Sequence, residues 1–460
     1  MSQTVRQAGS GIAAHGRADL RRDAVEIAAR ALAAVDPVAA FSRRAGLVGD
    51  ALRIDGDSYD LKGRRVVVLG AGKASIGLAA HLDHLLGTRI AAGCVVVKRG
   101  QGRRLEHIEI MEASHPVPDQ ASLRGGERLL HLAAMTQPDD LLIAIVTGGS
   151  SSLVVAPAQG VSLADFVATT RLLLASGATI VHINDVRKHL SRIKGGRLAA
   201  GCGCTVVNLT VSDVVGDPLD YVTDPTVPDT STFADAQRVC DSFDLWNRLP
   251  HSVAAHLRRA DPSDETIKAL RDVHNYVLAT SEMMCAAAAE AGRALGYASE
   301  VLTLELAGDS AAAGRWLTSR LRGHTTPTCL ITGGETTVRL AIDVGSTGGP
   351  SQEAALAAAL ELDGGGPACV LCMDSDGTDG PTDAAGGLVD DLSVARARRF
   401  DLDLNAALAS HTAGDALLAM GDLLVTGSTG TNVNDLRLAL TKGASNGGNG
   451  HTASEIAAGP

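Results

Sequence analysis

The chain has 460 residues, too many for one ordinary core, so two domains are expected. Apolar residues make up 45% and charged residues 20%, enough for a packed core, while aromatics at 2% leave no platform for stacking single-stranded bases. A net charge of −11 without a long basic run argues against nucleic acid as a partner and fits a soluble protein.

In chain order, residues 1–18 are polar and Gly/Ala-rich and read as a disordered tail, as does the stretch 443–460. Between them short apolar runs alternate with amphipathic stretches. The runs are "RVVVLG" near 65, "GCVVVK" near 93, "LLIAIVTGG" near 141, "CTVVNLTVSD" near 204, "VLTLEL" near 301, "CLITGGE" near 329, "ACVLCMDSDG" near 368 and "DLLVTGSTG" near 422. Helical spacing predicts helices over 20–35, 74–87, 120–135, 163–176, 278–296 and 351–362. Strands separated by helices of this length imply an α/β fold with right-handed crossovers and largely parallel sheets. A domain boundary is expected within 225–280, where prolines and polar residues concentrate. No export segment and no apolar run of about 18 residues is present, so a cytoplasmic protein off the membrane is expected. The eight cysteines, including Cys202 with Cys204 and Cys369 with Cys372, read as buried reduced thiols.

The first apolar run opens "VVVLGAGKASIGLAA", from Val66 to Ala80, a strand that turns through Gly70 and Gly72 into a helix. A phosphate-binding P-loop would need glycine where Val67 stands and Ser or Thr where Ala74 stands. A dinucleotide fingerprint would need glycine in place of Ser75 and an acidic residue after the second strand, which instead ends in Lys98 and Arg99. Those two basic residues could hold a 2′-phosphate, so an NADP-dependent enzyme stays an alternative. Lys73 opposes the positive end of the coming helix dipole, which a bound phosphate or carboxylate would explain and a solvated side chain would also allow.

Three further strings carry chemistry. "TGGSSSL" offers backbone amides and the hydroxyls of Ser150 and Ser151, a nest for phosphate oxygens; the G-x-S-x-G elbow of a serine hydrolase is absent. In "DVRKHLSRIKGGRLA" a helix ended by Gly195 and Gly196 would put Arg187, Lys188, Ser191 and Lys194 on one face, with Arg197 following. Such a face suits anions, or is simply a solvated surface. "CMDSDGTDGPTDAAGG" gathers Asp374, Asp376, Asp379 and Asp383, and Asp213, Asp217 and Glu335 could join from other strands to hold Mg²⁺. Each Asp taken singly reads as a cap or turn residue. Together, a lysine at a glycine turn, Gly/Ser nests, basic groups and an acidic loop are the parts of phosphoryl transfer.

These strings, with "HPVPD", "SDVVGDP", "ITGGETT" and "TGSTGTNV", occur in an order that resembles the class II glycerate 2-kinases, the MOFRL family, whose members also carry the name hydroxypyruvate reductase. The resemblance spans roughly residues 20–440. It implies a Rossmann-like, mainly parallel sheet domain over 20–250, a smaller α/β domain over 280–440, and an active site in the cleft between them. It implies ATP and Mg²⁺ as cofactors and a small hydroxy acid, D-glycerate, phosphorylated at its 2-hydroxyl, with a homodimer among the assemblies it allows. Lys73, Asp376 and Asp379 would then be catalytic. Gly70, Gly72, Ser150, Ser151, Arg187, Lys188, Lys194 and Arg197 would bind substrate or phosphate, and Asp213, Glu335 and Asp376 the metal. The sequence departs from the family at "GGPSQE", where Pro350 replaces the arginine of a string like "GGRNQE". Proline cannot clamp a carboxylate or phosphate, so Arg339 or Arg187 would have to compensate, or the substrate differs, or the chain is a weak metabolite-binding homologue.

Overall fold

The computed structural model describes residues 11–213, 225–339 and 346–443. Its first sheet holds six strands, in spatial order Glu109–Ala113, Ile90–Lys98, Val66–Ala71, Leu141–Thr147, Thr205–Val211 and Val273–Ala279. All neighbours are parallel. The central strands are buried on both faces, which is why they read as unbroken runs of Val, Leu and Ile. Numbered along the chain the order is 3-2-1-4-5-6, so the winding reverses between Val66–Ala71 and Leu141–Thr147. Ligand crevices in such sheets open at that switch point, at the carboxyl ends of the strands.

The second sheet also has six strands, in the order Ala298–Thr303, Thr328–Thr332, Asp435–Thr441, Ala368–Asp374, Gly386–Asp390 and Leu423–Leu424. Only its first pair is parallel; the other four contacts are antiparallel. This departs from the expected parallel arrangement. The chain returns from Ala368–Asp374 through the acidic loop rather than a crossover helix, and its last strand inserts between two earlier ones. The helix Pro350–Leu362 crosses this sheet buried on nearly every side. Its alanines permit close contact with the helix Ser310–Ser319: a Cβ added at Gly314 would lie 2.0 Å from the Ala354 carbonyl oxygen. A small antiparallel sheet, Ala45–Val48, Ala51–Ile54 and Asp57–Asp60, flanks the first domain and was not expected.

Two elements cross the expected ranges 20–250 and 280–440. The strand Val273–Ala279 completes the first sheet, and the helix Ala18–Ala34 packs on the second, sharing a core with Met284, Leu371 and Leu438. Arg21 of that helix is fully buried and donates to Asp390 (2.5 Å) and Asp422 (2.6 Å). Part of the expected N-terminal tail is packed as well: Ile12 is buried and its carbonyl accepts from Arg21. Residues 1–10 and 444–460 lie outside the described residues. Among the described residues no helix is long and apolar enough to cross a membrane.

Candidate active site

The glycine turn is the pivot of the site. Gly70 must lack a side chain because a Cβ would lie 2.6 Å from the Ile145 carbonyl oxygen on the neighbouring strand. Gly72 has φ +137°, and a Cβ there would strike Thr147 Oγ1. The turn's amides are already used: Gly72 N donates to Val96 O, Lys73 N to Gly148 O, Ala74 N to Thr147 Oγ1 and Ser75 N to Gly72 O. These four amides leave a pyrophosphate no free donor among them, unlike at a dinucleotide turn. The close packing of the turn against Leu141–Thr147 thus accounts for glycine at both positions. The following helix, Ser75–Leu86, starts two residues after Lys73, which leaves the lysine side chain free to cross the cleft.

A cavity of about 530 Å³ opens above this turn. Five strands of the first sheet deliver residues to it or its rim at their carboxyl ends: Lys73, Lys98, His115, Gly149 and Asp213. The second domain contributes Glu335, Pro350, Asp374, Asp379, Asn432, Asn434 and Asp435. The two walls touch directly. Lys73 Nζ donates to Asp376 Oδ2 at 2.7 Å, and Asn434 Nδ2 donates to the Asp213 carbonyl. Gly148 permits the approach, since a Cβ there would meet Asn432 Nδ2 at 2.1 Å and Asp213 Oδ2 at 2.4 Å.

The cavity is strongly acidic and open on one side. Burial and then the neighbouring Asp376 and Asp435 push Asp374 well above the carboxylate range. Asp213 and Asp435 are raised mainly by burial; Glu335 keeps solvent access at the cavity mouth, yet the protein packed around it and then Asp435 and Asp213 raise it too. Burial also lifts Asp379 to about 7. Burial alone would lower Lys73, but Asp376 and Asp374 outweigh it and hold its ammonium protonated. His115 is pulled down to about 4 by burial and then by Lys73 and Lys98, so its imidazole is neutral near pH 7.

The expected site residues fall into two groups. Lys73, Asp376, Asp379, Asp213 and Glu335 gather at the cleft, with Ser150 and Ser151 starting the short helix just beyond Gly149. The basic string does not present a face. Its helix is Ile180–His189, two residues short of Ser191, so Ser191 and Lys194 lie in the loop that follows. Lys188 Nζ is buried against Asp229 at 2.8 Å, and Arg197 donates to the carbonyls of Lys188 and Asp264. Lys194 is buried. Lys188 and Arg197 are thus engaged within the first domain, by Asp229 and by the Asp264 carbonyl from a later stretch of chain. Arg187 differs. It donates to the Ser151 carbonyl at 3.1 Å, has no carboxylate beside it among the described residues, and desolvation draws it down to about 10.

Asp379 accepts from Ser351 N, Gln352 N and Gln352 Nε2, so it anchors the start of the helix Pro350–Leu362 while facing the cavity. Asp376 is engaged on both oxygens, by Lys73 and by Thr378. It is therefore not placed as an open metal ligand. Among the described residues no three His, Cys, Asp or Glu are already gathered around one ion position. The donor set is nonetheless all oxygen, and Asp213, Glu335, Asp374 and Asp435 repel one another until a cation joins them, which suits a hard divalent ion. Asp383 and Arg339 are exposed, and Asp217 lies outside the described residues. Asp374, expected only as one of the acidic cluster, lines the cavity, whereas His115 and Asp435 were not singled out from sequence. Their signal was present in "HPVPD" and in the Asp that follows "TNVN".

Comparison with known proteins agrees with this architecture. A family model described as a domain of unknown function, DUF4147, matches residues 23–258, and that of the MOFRL family matches residues 328–435. The glycerate 2-kinase of Pyrococcus horikoshii is 37% identical over 92% of this chain and 97% of its own. A protein of Agrobacterium vitis, provisionally named hydroxypyruvate reductase, is 40% identical over 82% of this chain and 99% of its own. The crystal structure of a glycerate kinase from Thermotoga maritima superposes with a TM-score of 0.77 at 35% identity, covering 92% of this chain and 99% of that one.

Proposed function

The chain belongs to the glycerate 2-kinase family, and from that premise we propose that it transfers the terminal phosphoryl group of ATP to the 2-hydroxyl of D-glycerate, giving 2-phosphoglycerate and ADP. The observation that carries this reading is the Lys73–Asp376 contact, which brings a cation to the edge of an acidic cavity at the switch point of a doubly wound sheet. Phosphoryl transfer asks for positioned cations and little covalent work from the protein.

Each residue then has a task. Lys73 takes up negative charge on the phosphoryl group in flight. Asp376, released from Lys73 as substrate enters, orients the 2-hydroxyl and accepts its proton as the new O–P bond forms and the bond to ADP breaks. Asp379 fixes the helix Pro350–Leu362, and so the floor of the cavity, through its three hydrogen bonds. The Ser150 and Ser151 segment, steadied by Arg187 at the Ser151 carbonyl, supports phosphate oxygens. Asp213 and Glu335, with Asp374, would hold Mg²⁺, which when bound neutralises phosphate charge. All eight cysteines are free, which supports a reducing, cytoplasmic setting.

The test is ADP release with ATP and Mg²⁺ across D-glycerate, L-glycerate, tartrate, erythronate and hydroxypyruvate, with the product identified by NMR. Turnover of D-glycerate to the 2-phosphate is expected. A folded protein that leaves D-glycerate untouched yet oxidises NADPH with hydroxypyruvate would sink the kinase reading.

A further inference from the structure

We propose that Lys98 holds the carboxylate of the hydroxy acid and so selects an acid over a neutral polyol, an inference that rests on the kinase reading above. Lys98 ends the strand Ile90–Lys98, beside the strand that delivers Lys73. It is half-buried and lines the same cavity as Lys73, His115 and Pro350.

An anionic substrate entering an acidic cavity needs a cation that is not already spoken for. Lys73 is held by Asp376, and Arg437 is held by Asp435 and Thr336. Position 350 carries no charge. Lys98 lines the cavity, and its ammonium makes no hydrogen bond or ion pair among the described residues. Lys73 and Lys98 also act on one imidazole, that of His115, so both ammonium groups border the same small volume. In a 2-hydroxy acid the carboxylate and the reacting hydroxyl sit on adjacent carbons. A carboxylate on Lys98 therefore keeps the hydroxyl in the same small volume as the Lys73–Asp376 pair, where neutral His115 can also hydrogen-bond.

Lys98→Gln and Lys98→Arg, assayed with D-glycerate and with glyceramide, its uncharged amide, test this. Lys98→Gln should raise KM for glycerate at least about tenfold, leave KM for ATP unchanged and abolish the preference for glycerate over glyceramide, while Lys98→Arg recovers most of that preference. An unchanged KM for glycerate would overturn the proposal, as would a rise confined to ATP, which would place a phosphate on Lys98 instead. Wild-type turnover of glycerate is the internal control. Its absence counts against the kinase reading, and calorimetric binding of glycerate and tartrate to wild type and Lys98→Gln then decides Lys98: weaker binding to the variant supports it and equal binding overturns it.

Discussion

Lys73 Nζ and Asp376 Oδ2 stand 2.7 Å apart across 303 residues of sequence, so one ion pair links the switch point of the first sheet to the acidic loop of the second. Both side chains are largely enclosed, at 17% and 6% exposure, which keeps the pair from being screened as a surface bridge would be. A lysine in this position ties the two walls of the cavity together and is, in the proposed reaction, the cation nearest the phosphoryl group in flight.

Lys73→Ala should therefore lower kcat by about 10²–10³ or more, the loss typical when one preorganised charge-stabilising donor is removed. Far-UV circular dichroism should stay native, because the turn's shape is set by backbone amides and Thr147 rather than by the lysine head. Steady-state kinetics beside the spectrum checks both. A kcat within tenfold of wild type would remove Lys73 from the chemistry.

Mg²⁺ should raise the melting temperature in the presence of ATP, and the gain should grow as pH rises. Asp213, Glu335, Asp374 and Asp435 all hold protons more tightly than ordinary carboxylates, so a cation must displace protons to bind, and fewer are bound at higher pH. Thermal shift across a pH series measures this. Asp213→Asn and Glu335→Gln should each reduce the gain, and no Mg²⁺-dependent shift at any pH would remove these carboxylates from metal binding.

Asp379 gives a pH dependence whose sign is fixed. Its folded pKa, about 7, lies above the usual carboxyl value, so the folded state binds its proton more tightly than the unfolded chain. That contribution to stability is fully present below about pH 4 and is lost as pH rises through about 7. Asparagine at 379 cannot ionise and keeps one acceptor for the helix start. The melting temperature of Asp379→Asn minus that of wild type should therefore increase between about pH 5 and about pH 8. A constant difference would mean that Asp379 stays ionised in the folded protein.

The central strands were legible because burial on both faces leaves only apolar side chains in them. The edge strands Glu109–Ala113 and Val273–Ala279 mix exposed, half-buried and buried residues without a regular period and carry polar side chains, so they blend with loops. Lys73 and the acidic loop could be picked out by residue type and spacing. Asp435 could not be placed, because its position opposite Asp374 is set by antiparallel register between distant strands. The basic string does not form the single helical face its spacing suggests, and the use of two of its cations was hidden for a related reason. Asp229 and the Asp264 carbonyl, which use its cations internally, come from a later stretch of chain that local spacing does not reveal.

Pro350 is the position where this chain departs from the string it otherwise resembles, and it lines the cavity. Proline suits the first turn of the helix Pro350–Leu362, since no backbone N–H is needed there and its φ is already helical. Arginine can adopt the same backbone, so Pro350→Arg should fold, with a stability loss of about 0.4–1 kcal/mol from the freer unfolded chain. Its guanidinium would enter a cavity rich in carboxylates and add a second cation for the anionic substrate beside Lys98. KM for D-glycerate should fall in Pro350→Arg, and the fall should persist in the Lys98→Gln background, where the introduced guanidinium becomes the main carboxylate partner. The double-mutant cycle on KM measures this directly. Improved use of glycerate would mean that proline trades substrate affinity for a preset helix start. A shift of preference toward a different acid would mean that the smooth wall at Pro350 makes room for a larger substrate.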